Sequence, residues 1–534
     1  LSNTEAILLL DCGTGGVKST LLARGEATER PHFLPPQRIP AELTDGATGK
    51  KRVWQPALLL RQVTNALLSE SQRAKDARLS IAGVGITSTT SSTVSLEGQH
   101  ILPMPPPLRW DDQQSQQEAI QIENIRASTK SMPWMDPIMP DSGISKAVWL
   151  MSHYPREFTA TKTKVVEQWT FLNWFLTESL VQCETILARK WGWTNSLPWP
   201  DAFKIGLDTY LRATAFPNVP PLAAYKELER HILSGDVKTA GDRIGPMTWR
   251  LARALAIRTQ PFVFAVPYDT FAQIIGMGMV EESQDLAITF GTSQGICSVL
   301  PVGSLSDSAA VSPIPDSPVR GTSMLFDGIA SCGGAVRFVC ENYGFITPEG
   351  SIDSKRIEKC LDDTQPGSEG IMMLPYYNGG RRVSRCVPVD GKIEGLNQGK
   401  LKENIIRALF ESIAFITRAI LNDFERITGT KYRQIRVSGG PTQNQPFMRI
   451  LASILGRDVV LFKEVEAGLV GCAVCVAKGL GWYDSLQKTQ NALVETSQII
   501  KPDPTQTRMY ESLCNQYLRR FANDIGLSPV TEQN

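Results

Sequence analysis

LLLDCGTGGVKSTLL, residues 8–22, sets an acidic residue, Asp11, and a glycine-rich turn between two apolar runs. A tight glycine turn presents backbone N–H groups that suit phosphate oxygens, yet a carboxylate at its head repels them. No G-x-x-x-x-G-K-[ST] loop in the chain supplies the usual lysine cradle. The pattern returns in LAITFGTSQGICSVL, residues 286–300, as apolar strand, Gly-Thr turn and second apolar strand, with Gly291 and Thr292 falling on Gly13 and Thr14. Two such hairpins, one in each half, predict two related domains facing each other.

The length of 534 residues exceeds what one hydrophobic core fills, which agrees with two domains. Lys and Arg number 55 against 54 Asp and Glu, so neither a nucleic acid nor a membrane surface is the expected partner; a small neutral or anionic ligand is. The ten cysteines lack disulfide-framework spacing, and Cys472 and Cys475 lie in GLVGCAVCVAKGLG, which reads as a tightly packed small-residue helix. His32, His100, His153 and His231 stand far apart, which argues against zinc and Ser-His-Asp chemistry. No apolar run approaches the roughly 20 residues that span a bilayer. A cytoplasmic location is expected, or an organellar stroma if a targeting segment was removed.

In the second half, apolar residues at 405, 406, 409, 413, 416, 420, 424 and 427 predict a helix over 403–427, stopped by Gly429. The strand QIRV (434–437), turn SGGPTQNQ (438–445), helix 446–455 and strand DVVLF (458–462) then form an α/β unit with its turn at a strand's carboxyl end, where open sheets bind ligands. In the first half, GVGITSTTSSTVSL (83–96) reads as a strand and a hydroxyl-rich turn, followed by the proline-rich loop LPMPPPLRWDDQQ (102–114). Helical stretches are expected over 145–155 and 165–178, irregular chain over 183–245, a domain boundary near 260, and a final helix with a loose tail.

The chemistry follows from these turns. Two Gly-Thr turns on opposed domains would clamp a triphosphate through N–H and hydroxyl donors. Asp11 makes sense there if it binds Mg²⁺ through water, since the metal bridges carboxylate and phosphate. In PYDTFAQIIGMG (267–278), Asp269 sits between the strand FVFAV (262–266) and a helix, a place that suits either a helix N-cap or a general base.

These motifs resemble the FGGY carbohydrate kinases of the actin, hexokinase and heat-shock-70 ATPase superfamily. DCGTGGVKS is similar to the family's first phosphate motif, FGTS (290–293) to its second, and 437–460 with 464–481 to its adenosine segment and closing helix. PYDTFAQIIGMG matches the segment of the catalytic aspartate, and LRWDDQQ the sugar-contact loop. GITSTTSSTV and ARKWGWTNSLPW resemble the ribulose and xylulose kinase branch. Departures are Ser88 for an acidic residue in the sugar turn, Lys18 and Gln114 where Arg is common, and Thr170 where Asp is often found.

The resemblance implies an α/β fold of two ribonuclease H-like (actin-like ATPase) domains, 1–260 and 261–534, with a nucleotide and sugar cleft between them. It implies ATP and Mg²⁺, a small sugar as substrate, and a monomer or homodimer. Asp269 would be the base, and Asp11 would organise Mg²⁺ and approach the reacting hydroxyl. Gly13, Thr14, Gly15, Gly16 and Lys18, with Gly291, Thr292 and Ser293, would hold phosphate, and Gly439, Gly440 and Asn444 the adenosine. Ser91, Trp110 and Asp112 would join Asp11 and Asp269 at the sugar, the plain alternatives being a solvated hydroxyl loop and a core tryptophan. The expected activity is γ-phosphate transfer to a ketopentose such as D-ribulose or D-xylulose. Alternatives are a kinase for another polyol or ketose, a catalytically altered nucleotide-binding sensor, and a chaperone- or filament-type ATPase.

Overall fold

The structure, a computed structural model, describes residues 4–25, 30–41, 52–98, 100–102, 104–135, 137–159, 163–233, 235–305, 313–329, 332–377, 380–382, 385–399, 401–464 and 466–525, with the backbone alone at 380–389. The chain divides into two compact units. The first comprises Leu1–Glu281, Ile314–Ser323 and Ala467–Leu493; the second comprises Glu282–Pro313, Met324–Glu466 and Val494–Asn534.

In the first unit the strand Thr4–Gly13 is buried from Ala6 to Asp11 and beyond, as a central strand covered on both faces must be. Its alternation divides two cores. Leu8, Leu10 and Cys12 pack with Val63, Ala66 and Leu67 of the helix Pro56–Asp76, while Ile7 and Leu9 pack with Val474 and Val476 of the helix Ala467–Gly479. The strand turns back antiparallel into Gly16–Ala23, with Gly13 opposite Gly16, and Gly16 adopts φ 125°. A Cβ there would come within 2.1 Å of the Ile39 carbonyl oxygen, so this turn requires glycine. On its other side Thr4–Gly13 runs parallel to Leu79–Ser88, which runs parallel to Phe262–Ala265.

The second unit repeats this topology. Leu286–Phe290 turns back into Gln294–Pro301 and runs parallel to Gln434–Gly439, which runs parallel to Asp458–Phe462. The predicted long helix spans Lys402–Thr428 and ends at Gly429, whose φ of 67° is the left-handed C-cap. Its buried Ile405, Leu409, Ile413, Ile416, Ile420 and Phe424 belong to one core with the strands.

The structure departs from the sequence reading in three places. Residues 163–167 form a strand antiparallel to Thr93–Glu97, and the helix starts only at Gln168. The β-branched pair Val165-Val166 pairs in a sheet rather than starting the helix. Within 183–245, Phe203, Leu207 and Leu211 line one face of the helix Asp201–Thr214, and Ala224, Leu228 and Ile232 line one face of Ala223–Ile232. The first unit also extends past 260, because Phe262–Ala265 is hydrogen-bonded into its sheet, and it regains Ala467–Leu493. Among the described residues nine cysteines are free and buried, including Cys472 and Cys475. Among the described residues no helix is long and apolar enough to cross a membrane.

The helix Ala467–Gly479 lies against Asp269–Gly276 backbone to backbone. A Cβ on Gly471 would stand 1.8 Å from the Ala272 carbonyl oxygen, and one on Gly276 would stand 1.9 Å from that of Ala467. Gly471→Ala is expected to destabilise the first unit by roughly 1–3 kcal/mol, the usual cost of overpacking an interior. Gly399→Ala, whose Cβ would meet only the Asn397 side chain at 3.5 Å, is expected to be near neutral. Equal denaturation midpoints for the two variants would contradict this contact.

Candidate active site

The carboxyl ends of the parallel strands bring the candidate residues of the first unit together. Asp11 is buried near the end of Thr4–Gly13, opposite Lys18 across the hairpin and beside Thr87 on Leu79–Ser88. Lys18 Nζ stands 3.8 Å from Asp11 Oδ2. The turn residues Thr14 and Gly15 are exposed. Thr14 Oγ1 accepts a hydrogen bond from Trp110 Nε1 at 3.1 Å, so the partly exposed Trp110 meets the glycine turn rather than the core.

Asp269 is the first residue of the helix Asp269–Gly276; Tyr268 holds the N-cap position. The chain before it is fixed from two sides, by Thr87 Oγ1 donating to the Pro267 carbonyl at 2.6 Å and Trp169 Nε1 donating to that of Val266 at 2.6 Å. Asp269 Oδ1 accepts from the Thr270 N–H at 2.7 Å. Burial, and then the charge of Asp11, push the Asp269 carboxyl up to about 7, while the Thr270 hydrogen bonds and the Arg189 guanidinium oppose the shift. Arg189 is buried on a π-helical turn, Leu187–Trp191, and donates to Tyr268 Oη at 2.6 Å.

The hydroxyl-rich turn is buried, not solvated. Thr87, Ser88, Thr89, Ser91, Ser92 and Thr93 are all shielded, and Ser91 has φ 59° with no hydrogen-bond partner for its Oγ among the described residues. Asp112 is fully buried and its carboxylate accepts from the Arg52 N–H at 2.6 Å and from the Gln114 N–H and Nε2 at 3.0 Å each. That carboxylate fastens its own loop, with both oxygens engaged.

The second unit holds the other candidates. Gly291, Thr292 and Ser293 form an exposed three-residue turn between Phe290 and Gln294. Its carbonyls accept from a helix N-terminus: Gly333 N–H reaches Gly291 at 3.1 Å, and Cys332 N–H reaches Thr292 at 3.0 Å. Gly439 has φ 103°, and a Cβ there would lie 1.9 Å from the Phe290 carbonyl oxygen. Gly440 is exposed beside it, while Asn444 caps the helix Gln445–Leu455 by accepting from the Phe447 N–H at 2.9 Å. A cavity of about 200 Å³ opens here at the strand ends, lined by Ser438, Thr442, Gln443, Phe462, Glu464 and Gln498 among others. A larger cavity of about 480 Å³, bounded by Gln182, Trp193, Asn195, Asp236 and Lys238, contains none of the candidate residues.

Three ionisable residues of the site escaped the sequence reading. Lys146 interrupts an apolar run, SKAVWLM, the one signal that could have found it. Arg189 and Glu167 gave none, since their roles come from a helical turn and a strand end that bring distant residues together.

Two family models match the chain: the FGGY family of carbohydrate kinases, N-terminal domain, over residues 6–199, and the C-terminal domain of the same family over residues 286–480. The chain is 21% identical to a xylulose kinase of Lactococcus lactis subsp. lactis over 487 residues, 89% of each chain. It is 26% identical to a ribulokinase of Geobacillus thermodenitrificans over 313 residues, 55% of each. The crystal structure of ligand-bound xylulose kinase from Lactobacillus acidophilus matches it with a TM-score of 0.79 at 17% identity, covering 98% of this chain and 99% of that one. A gluconate kinase from the same organism matches with a TM-score of 0.79 at 18% identity, covering 97% and 98%. The shared fold is the two-domain actin-like ATPase fold.

The raised carboxyl of Asp269 carries a stability consequence. A folded-state value near 7 against an ordinary 3.8 means that the native state holds a proton that the unfolded chain releases over this interval, so Asp269 weakens the fold as pH rises through it. Asp269→Asn is expected to raise Tm by a few °C at pH 8, with the gain shrinking toward pH 4. A gain that is the same at both pH values would contradict the shift.

Proposed function

As a member of the FGGY family of carbohydrate kinases, the chain is a sugar kinase, and we propose that it transfers the γ-phosphate of ATP to a hydroxyl of a ketopentose such as D-ribulose or D-xylulose. The observation that carries the reading is that Asp269, at the start of its helix, lies near enough to Asp11 to feel its charge, with Asp11 at a strand's carboxyl end beside the exposed Thr14 turn. A carboxylate poised near neutral pH suits a general base, because it is basic enough to take a hydroxyl proton yet ionised often enough to act.

In this reading Asp269 accepts the proton of the attacking hydroxyl. The sugar oxygen bonds to the γ-phosphorus while the bond from phosphorus to the β–γ bridging oxygen breaks, leaving ADP. Arg189 keeps the charged form of Asp269 accessible. The glycine turns 13–16 and 291–293 donate to phosphate oxygens, and Gly439 and Gly440 let the nucleotide approach the backbone beside the 200 Å³ cavity. Ser91 and Trp110 contact the sugar; Asp112 shapes the loop that carries Trp110.

Among the described residues no three His, Cys, Asp or Glu side chains cluster to hold a metal by themselves. One hard carboxylate, Asp11, close to a second is a donor set that fits Mg²⁺ delivered with phosphate and water as its remaining ligands. Bound there, Mg²⁺ would neutralise phosphate charge and relieve the repulsion between the two aspartates.

An ATP-consumption screen over ribulose, xylulose, related ketoses, gluconate, polyols and glycerol tests the reading. A ketopentose is expected to give the highest kcat/KM, and Asp269→Asn to lower kcat about 10²–10⁴-fold with ATP affinity unchanged. ATP binding without turnover on any acceptor would favour the sensor, and full activity in Asp269→Asn would remove it as base.

A further inference from the structure

Lys146 lies in the helix Gly143–His153 and its side chain is fully buried. Nζ donates to the Ser91 carbonyl at 2.7 Å, to the Trp110 carbonyl at 3.0 Å, and to the Arg109 carbonyl. An ammonium has three donors, and all three are used. The acceptors lie on two separate loops, the hydroxyl turn 89–92 and the loop 109–112. The two segments also meet where Thr93 and Leu108 exchange backbone hydrogen bonds at 2.8 and 3.0 Å and where the Trp110 N–H donates to Ser92 Oγ at 3.2 Å; beyond these, among the described residues, it is Lys146 that ties Ser91 to Arg109 and Trp110.

A buried charge is a poor choice for stability alone, because apolar side chains of similar volume fill an interior without the desolvation cost. What the ammonium supplies instead is direction. Ser91 holds a left-handed φ of 59°, a conformation an L-residue keeps only where its surroundings impose it. The bond from Nζ fixes its carbonyl, and with it the direction of the buried Ser91 Oγ. On the other loop, the bond to the Trp110 carbonyl steadies the residue whose indole reaches Thr14. The groups facing Nζ are Asp141, Asp112 and Glu167, which favour its charge, and Lys190, which opposes it; burial lowers the ammonium to about 8, so the three donors persist at neutral pH.

We propose that Lys146 is a positioning residue for the acceptor sugar, setting the turn that carries Ser91 against the loop that carries Trp110. The inference rests on the kinase reading, in which these two loops contact the sugar. The site tolerates little change: three carbonyl oxygens surround one compact donor, and the planar fork of Arg cannot reproduce that arrangement.

The test uses the full-length wild-type protein, Lys146→Met and Lys146→Arg, with initial rates measured against the ketopentose at saturating ATP and against ATP at saturating ketopentose. The expected result is a rise of about 10- to 100-fold in the KM for sugar in both variants, the scale of an ångström-level misplacement, with the KM for ATP within about twofold of wild type. Should Lys146→Met fail to fold, Lys146→Arg keeps the charge buried and the same split decides. A folded variant with an unchanged KM for sugar would overturn the proposal. So would a loss confined to kcat that matches the fraction of inactive protein, because that is what a merely structural lysine produces. Wild-type protein with no turnover on any acceptor would instead overturn the kinase reading itself.

Discussion

The contact between the helices Asp269–Gly276 and Ala467–Gly479 is the constraint on which the candidate site depends. It is made of glycine against carbonyl, at Gly471 with Ala272 and Gly276 with Ala467, and a single methyl group at either glycine would force the helices apart. A third glycine, Gly468, approaches Asp11 so closely that a Cβ there would lie 2.9 Å from Oδ2. The same helix therefore packs on the helix that begins at Asp269 and on the strand that carries Asp11. Because Ala467–Leu493 comes late in the chain, the placement of Asp269 and Asp11 awaits a segment nearly 200 residues downstream of the first of them and over 450 from the second.

Holding two carboxylates together has an electrostatic cost that the site turns to use. Burial and the charge of Asp11 raise Asp269 toward neutrality, and Arg189 on its π-helical turn limits the rise. Active sites commonly accept such strain because a poised base needs it. Glu167 is in a similar state: burial pushes it up to about 7, opposed by the Trp191 indole hydrogen bond at 2.9 Å and by Lys146. The first unit thus holds several perturbed ionisable groups, Asp269, Glu167 and Lys146.

Much of this was legible in the sequence because the governing signals are local. The two Gly-Thr hairpins, the helix 402–428 with its Gly429 cap, and the strand DVVLF appear where periodicity and turn chemistry placed them. The strand 163–167 was hidden because its partner, Thr93–Glu97, lies far away in the chain. Residues 183–245 looked irregular because tryptophans and prolines masked two short amphipathic helices. Asp112 read as a sugar contact, since nothing local reveals that the Arg52 N–H bonds to it. Arg189 was illegible for the same reason, and Lys146 showed only as a break in an apolar run: their partners are backbone and side-chain groups that only tertiary folding assembles.

The central claim is that Asp269 is a base tuned by its two charged neighbours. The most direct test is the pH dependence of kcat/KM for the acceptor sugar in wild type, Arg189→Met and Asp11→Asn. The account predicts an acidic limb near pH 7 in wild type, moved to higher pH without the Arg189 charge and to lower pH without the Asp11 charge. A limb that stays in place in both variants would contradict it.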